Sequence, residues 1–157
     1  MPYKKFLEPI LGNVLLDMGG SVLTRGKQNE RTVFSLDNER KIAPIICYES
    51  VYGEYVTEYV RKGANILAII TNDGWWSESQ GYKQHLSYAR IRAIETRRNI
   101  LRSANTGSSA IINFNGEILK KLDYGKRGFI NATAETINKL TFYVKYGDFF
   151  FRFSLFF

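Results

Sequence analysis

The sequence predicts an α/β fold organised around a parallel pair of strands, and three observations carry that expectation. Residues 42–46 (Ile-Ala-Pro-Ile-Ile) form a short apolar run that leads into Cys47, the single cysteine of the 157 residues. Past Ser50 the period changes. Val51, Tyr52, Tyr55, Val56, Tyr59 and Val60 recur at three-to-four spacing, the stripe of an amphipathic helix. Residues 65–71 are then a second short apolar run, rich in Ile. Strand, helix, strand makes a βαβ unit. Ser50 is expected to cap the helix, and Gly63 stands where a closing glycine belongs.

Before this unit, residues 1–18 carry a helical pattern (Phe6, Leu7, Ile10, Leu11, Val14, Leu15) broken by Pro9 and Gly12. Gly19, Gly20 and Gly26 mark a loop. Residues 31–36 predict a strand, turned at Asp37-Asn38-Glu39 into the strand that ends at Cys47, so the two form a hairpin. After the unit comes Thr71-Asn72-Asp73-Gly74-Trp75-Trp76 and a polar loop to Tyr82. The paired tryptophans either cap the core from outside or wall a pocket for an apolar ligand.

Residues 84–99 predict a helix, with Leu86, Ala89, Ala93, Ile94 and Arg97 at helical spacing. The small Ala89 and Ala93 imply close packing on another element, whereas Arg90, Arg92, Glu95 and Arg98 read as surface charges. Residues 100–122 predict three short strands. The first leads to Asn105-Thr106-Gly107, the second spans 109–113, and a hairpin turn at Asn115-Gly116 precedes the third, 117–122. A weaker strand is expected at 128–132.

Composition sets the outer limits. With 45% hydrophobic and 24% charged residues the chain is ordinary globular material, long enough for one domain with a core. One cysteine excludes an internal disulfide framework. The 22 basic residues behind the net charge of +7 are scattered, and no stacking motif accompanies them, so nucleic acid is not a predicted partner. The same charge favours an anionic phospholipid surface. The first residues precede no apolar core of a signal peptide, and no run of 18 apolar residues exists to span a bilayer alone. No cofactor and no metal are predicted.

The segment 140–157 differs in kind. Phe149, Phe150, Phe151, Phe153, Leu155, Phe156 and Phe157 are interrupted only by Arg152 and Ser154. It resembles the aromatic belt at the start of a membrane helix; the alternative is a C-terminal element tucked into the core.

Cys47 is expected where a buried strand ends and a helix begins, so that free backbone N–H groups and the helix dipole favour a thiolate and hold an oxyanion. A lone cysteine in that place is more often a small buried hydrophobe. The surroundings decide between the two. Ile-Cys-Tyr-Glu-Ser at 46–50, Thr-Asn-Asp-Gly-Trp-Trp at 71–76, Gln84-His85, Ala-Arg-Ile-Arg-Ala-Ile-Glu-Thr-Arg-Arg at 89–98 and Arg-Ser-Ala-Asn-Thr-Gly at 102–107 fall in order. Together they resemble the nitrilase-like domain of the apolipoprotein N-acyltransferase family, within the carbon-nitrogen hydrolase superfamily. Thr-Phe-Tyr-Val-Lys-Tyr-Gly-Asp at 141–148 resembles the stretch before that family's last membrane helix.

The resemblance implies a partial α-β-β-α sandwich ending at the start of a transmembrane helix. Residues 1–140 would be the C-terminal part of the nitrilase-like domain and 141–157 the juxtamembrane segment. The place implied is the periplasmic side of the bacterial inner membrane. The chemistry implied is ping-pong: the Cys47 thiolate takes an acyl chain from a phospholipid such as phosphatidylethanolamine, and the α-amine of a diacylglyceryl-cysteine on an apolipoprotein receives it. Tyr48 would supply a backbone N–H to the oxyanion, and Glu49 would orient the site. Trp75 would pack on acyl chains, with Asn72, Asp73 and Trp76 beside it. His85 would be structural, since the family uses no Cys–His pair.

The family's site also needs a glutamate base and a lysine, both preceding the cysteine. Tyr3-Lys4-Lys5-Phe6-Leu7 only faintly mimics the lysine motif, and the stretch from Leu7 to Gly20 resembles the family's sequence just past that motif. The lysine is therefore expected before Met1 and the glutamate further upstream, which makes the chain a fragment with little activity alone. A soluble amidase and a non-catalytic membrane-surface module are the alternatives.

Overall fold

The computed structural model describes residues 28–155, so the helical pattern over 1–18 and the glycines at 19, 20 and 26 lie outside the described residues. The unit that begins at Arg31 carries every element below. Its centre is a mixed six-stranded sheet in the order β1 (Phe34–Ser35), β2 (Lys41–Ile46), β3 (Ile66–Thr71), β4 (Asn99–Ala104), β5 (Ser109–Ile112), β6 (Ile118–Leu122). β2, β3 and β4 run parallel, with Ile45 opposite Ile69 and Ile69 opposite Arg102. β1 pairs antiparallel with β2 as the expected hairpin, though only two residues of 31–36 enter the ladder.

The parallel joints need crossovers, and the two helices supply them. α1 (Gly53–Arg61) joins β2 to β3, and α2 (Gln80–Thr96) joins β3 to β4. Val56, Tyr59 and Val60 of α1 and Leu86, Ala89 and Ala93 of α2 bury against Ala43, Ile45, Leu67, Ile69, Ile100, Ala110 and Ile112 of the sheet. Ala89 and Ala93 let α2 sit close, as their size implies. Ile69 is fully buried at the middle of the central strand, so Ile69→Ala is expected to cost about 3 kcal/mol, read as a lower urea midpoint.

Several boundaries differ from expectation for local reasons. The helix after Cys47 does not start at Ser50. A 3₁₀ turn (Cys47–Val51) intervenes, α1 is entered from Tyr52 without a side-chain cap, and the Ser50 hydroxyl turns inward to Cys47. Gly63 does close α1, with φ +96°. α2 starts at Gln80, capped by the Ser79 hydroxyl, because its first turn is polar and leaves no apolar mark. It ends at Thr96 rather than 99: Arg97 adopts a left-handed conformation, and its amide and that of Arg98 both reach the Ala93 carbonyl. Arg92 and Arg98 are buried, not surface charges.

The other face of the sheet is more open. Ile46 and Ile70 are about half exposed, and a cleft of about 480 Å³ there is lined by Ala68, Leu101, Ile111 and Phe129 among others. Residues 128–132 make no ladder; they run along this cleft, and the Asn131 carbonyl accepts from Lys120 Nζ at 2.5 Å. One sheet, not two, is present among the described residues. The aromatic tail forms two short helices, α3 (Phe142–Tyr146) and α4 (Phe149–Ser154). No described helix is long and apolar enough to cross a membrane, so the expected start of a transmembrane helix is not seen. Phe150 is 80% exposed and Phe151, Phe153 and Leu155 lie open beside it.

Candidate functional site

Cys47, Asp73 and the loop that starts at Asn105 all follow the carboxyl ends of β2, β3 and β4, the end of a parallel sheet where ligands gather. Cys47 is half-buried and sits at φ +52°, a left-handed conformation that a side-chain-bearing residue adopts only when its surroundings hold it there. Its carbonyl accepts the Ser50 hydroxyl at 2.8 Å, and His85 Nε2 lies 3.2 Å from the same oxygen. Cys47 opens the 3₁₀ turn, whose first amides, Tyr48 among them, have no intrahelical acceptor by their position.

Glu49 ties the turn to its neighbours. One carboxylate oxygen accepts the Ile46 amide at 2.8 Å and the other accepts the Tyr55 hydroxyl at 2.6 Å. Burial, together with the Glu49 carboxylate, pushes the Tyr55 phenol far above its usual range, so it stays a donor. Arg31 stacks on the Tyr55 ring at 4.0 Å and pairs with Glu58 at 2.9 Å, which fixes the ring from its other side.

Beneath the sulfur lies a buried polar cluster that sequence reading did not assemble. Asp73 is fully buried. Its Oδ2 pairs with Arg102 Nη2 at 2.5 Å, and its Oδ1 accepts from His85 Nδ1 at 2.8 Å and from the Thr71 hydroxyl at 2.9 Å. A carboxylate only accepts, so the Nδ1 proton of His85 points to Asp73, and Nε2 faces Ser50 Oγ at 3.0 Å. Burial alone raises the Asp73 carboxyl, but the His85 hydrogen bond, the Arg102 charge and the Thr71 hydroxyl outweigh it and hold the group below its usual range. Thr71 Oγ1 is also 3.3 Å from Cys47 Sγ. Among the described residues it is the hydrogen-bond partner of that sulfur.

The other expected site residues spread around this centre. Tyr48 is half exposed and packs near Tyr52, Trp76 and His85. Trp76 lies edge-on to His85 at 5.4 Å. Trp75 is 77% exposed, and Asn72 accepts the Gly74 amide at 3.1 Å to shape its loop. Asp73 lies under the site with both oxygens occupied. Thr71 and Arg102 stand in quoted motifs, yet only the structure shows that both converge on Asp73.

The class defined is an α/β half-sandwich with a strained cysteine turn at the carboxyl end of its parallel strands. Residues 5–136 match the carbon-nitrogen hydrolase family, and the chain belongs to it. The chain is 37% identical to an apolipoprotein N-acyltransferase of Wigglesworthia glossinidia brevipalpis over 94% of its own length and 29% of that protein. It is 34% identical to one of Chlorobaculum tepidum over 94% of its length and 28% of that protein. It thus spans less than a third of the curated relatives it matches. Among solved structures it resembles a carbon-nitrogen hydrolase from Helicobacter pylori, with a TM-score of 0.55 and 20% identity over 66% of this chain and 43% of that one. A glutamine-dependent NAD+ synthetase from Acinetobacter baumannii superposes with a TM-score of 0.56 at 17% identity, over 66% of this chain and 21% of that chain. At such identities the likeness is one of fold.

Proposed function

We propose that this chain carries the nucleophile of an apolipoprotein N-acyltransferase, with residues 1–140 in the catalytic domain and 141–157 beside the membrane. The observation that carries the reading is Cys47 held at φ +52° over a buried Asp73–Arg102–His85 cluster, in a chain similar over nearly its whole length to proteins of that name.

The thiol proton passes to a general base, the glutamate that the resemblance implies. The thiolate adds to the acyl-ester carbonyl of a phospholipid, the Tyr48 N–H meets the oxyanion, and the C–O bond breaks as the lysophospholipid leaves with the proton. The α-amine of a diacylglyceryl-cysteine then adds to the thioester. The C–N bond forms, the amine proton passes to the same base, the C–S bond breaks, and the thiolate returns to be reprotonated by that base. A thioester is reactive enough to acylate an amine without an external energy source. Glu49 holds the turn in register through Ile46 and Tyr55, Trp75 and Trp76 border the acyl chains, and the exposed phenylalanines of α4 rest on the inner membrane at its periplasmic face.

The test is acyl capture on the intact gene product in vesicles of phosphatidylethanolamine with a heavy-labelled acyl chain. The Cys47 peptide is expected to gain the mass of that chain and to lose it in neutral hydroxylamine. The 157-residue chain alone is expected to gain none. An intact product that takes no acyl chain but hydrolyses small amides would establish the soluble amidase instead.

A further inference from the structure

We propose that Thr71 is a catalytic hydrogen-bond donor whose single hydroxyl proton switches between Asp73 and the Cys47 sulfur as the charge on that sulfur changes; this rests on Cys47 being the nucleophile. Thr71 ends β3 beside β2, the strand that leads into Cys47, and is 5% exposed. Its Oγ1 lies 2.9 Å from Asp73 Oδ1 and 3.3 Å from Cys47 Sγ, and one proton cannot serve both.

The chemistry of the two acceptors decides where the proton goes. A neutral thiol is a weak acceptor, so the hydroxyl then belongs to the ionised Asp73. A thiolate is a full charge at the same distance and competes for it. Asp73 can release the proton because two other donors remain, His85 Nδ1 at 2.8 Å and Arg102 Nη2 at 2.5 Å. The β-branch restricts χ1 of Thr71, so the exchange is a rotation of one O–H bond with no heavy atom moving. A donor that is already in place costs no reorganisation when charge appears.

Over the cycle the thiol proton leaves for the base and Thr71 turns to the thiolate. In the thioester the sulfur is neutral and the hydroxyl returns to Asp73. When the amine adds and the C–S bond breaks, the bonding pair goes back to sulfur and Thr71 meets it there. The hydroxyl therefore stabilises the nucleophile in the first half-reaction and the leaving group in the second.

Iodoacetamide alkylation at fixed near-neutral pH, followed at the Cys47 peptide of the intact gene product, reads the thiolate without any acyl donor. Thr71→Val, which keeps the shape and removes the hydroxyl, is expected to react roughly tenfold more slowly, the scale of one hydrogen bond to a charged group. Thr71→Ser is expected to stay within about twofold of wild type. If the valine variant does not fold, Thr71→Ala removes the same hydroxyl without placing a methyl against Asp73. Wild-type reactivity in the hydroxyl-free variants, or equal slowing in the serine variant, overturns the proposal. Hydroxyl-dependent alkylation in a protein that takes no acyl chain from phospholipid would sink the acyltransferase reading alone.

Discussion

Cys47→Ser in the intact gene product is expected to lower N-acyl transfer by roughly 10⁴-fold or more, leaving mature lipoproteins one acyl chain short at their N-terminus. Serine is nearly isosteric, so the turn at φ +52° and the hydrogen bond of the Ser50 hydroxyl to its carbonyl are kept. The change in folding stability should stay within about 0.5 kcal/mol. What is lost is chemical. The hydroxyl is a far weaker nucleophile at neutral pH, and an oxygen ester passes its acyl group to an amine less readily than a thioester does. The mass of the lipoprotein N-terminal peptide, in cells that depend on this gene, reports the outcome directly. Unchanged maturation would mean a membrane-surface module in which Cys47 is packing.

The βαβ centre was legible because its signals are local. Tyr55, Val56, Tyr59 and Val60 keep a helical period that neighbouring residues alone impose, and Gly63 closes it at φ +96°. The Asn115-Gly116 turn was legible for the same reason: Gly116 sits at φ +82°, which few other residues tolerate. Charge misled where burial had to be known. Arg98, 1% exposed, pairs with no acid among the described residues; it donates to the carbonyls of Ala64, Thr96, Arg97 and Lys139, and burial brings its guanidinium down to about 10. Those acceptors come from separate places in the chain, and no spacing rule collects them. Ser50 carried a cap signature, but the strained turn at Cys47 took its hydroxyl first. Of the site, the cysteine and its flanking motifs could be named from sequence. The support beneath it needed the register that sets Ile69 opposite Arg102.

Asp73→Ala is expected to be the most destabilising single change in that support, at about 3–5 kcal/mol, the scale for removing one partner of a buried ion pair. Arg102 is buried beside it, and its Nε and Nη1 have no hydrogen-bond partner among the described residues even with Asp73 present. Removing the carboxylate strands the whole guanidinium, the His85 Nδ1 proton and the Thr71 hydroxyl at once. Arg102→Met is expected to cost less on its own, because His85 and Thr71 still donate to Asp73. The pair Asp73→Asn with Arg102→Met should lose less than the sum of the two single changes, since neither charge is then left unpaired. Acid gives an independent check on sign. The folded Asp73 carboxyl lies below its ordinary 3.8, so the stability it contributes is fully present above that value and is lost as pH falls through the lower, folded one. Urea unfolding followed by tryptophan fluorescence, at pH 7 and again near pH 3, should show an acid-sensitive component in wild type that Asp73→Asn lacks. Additive single and double variants would place the support of the Cys47 turn in Ser50 and Glu49 rather than in the buried charge pair.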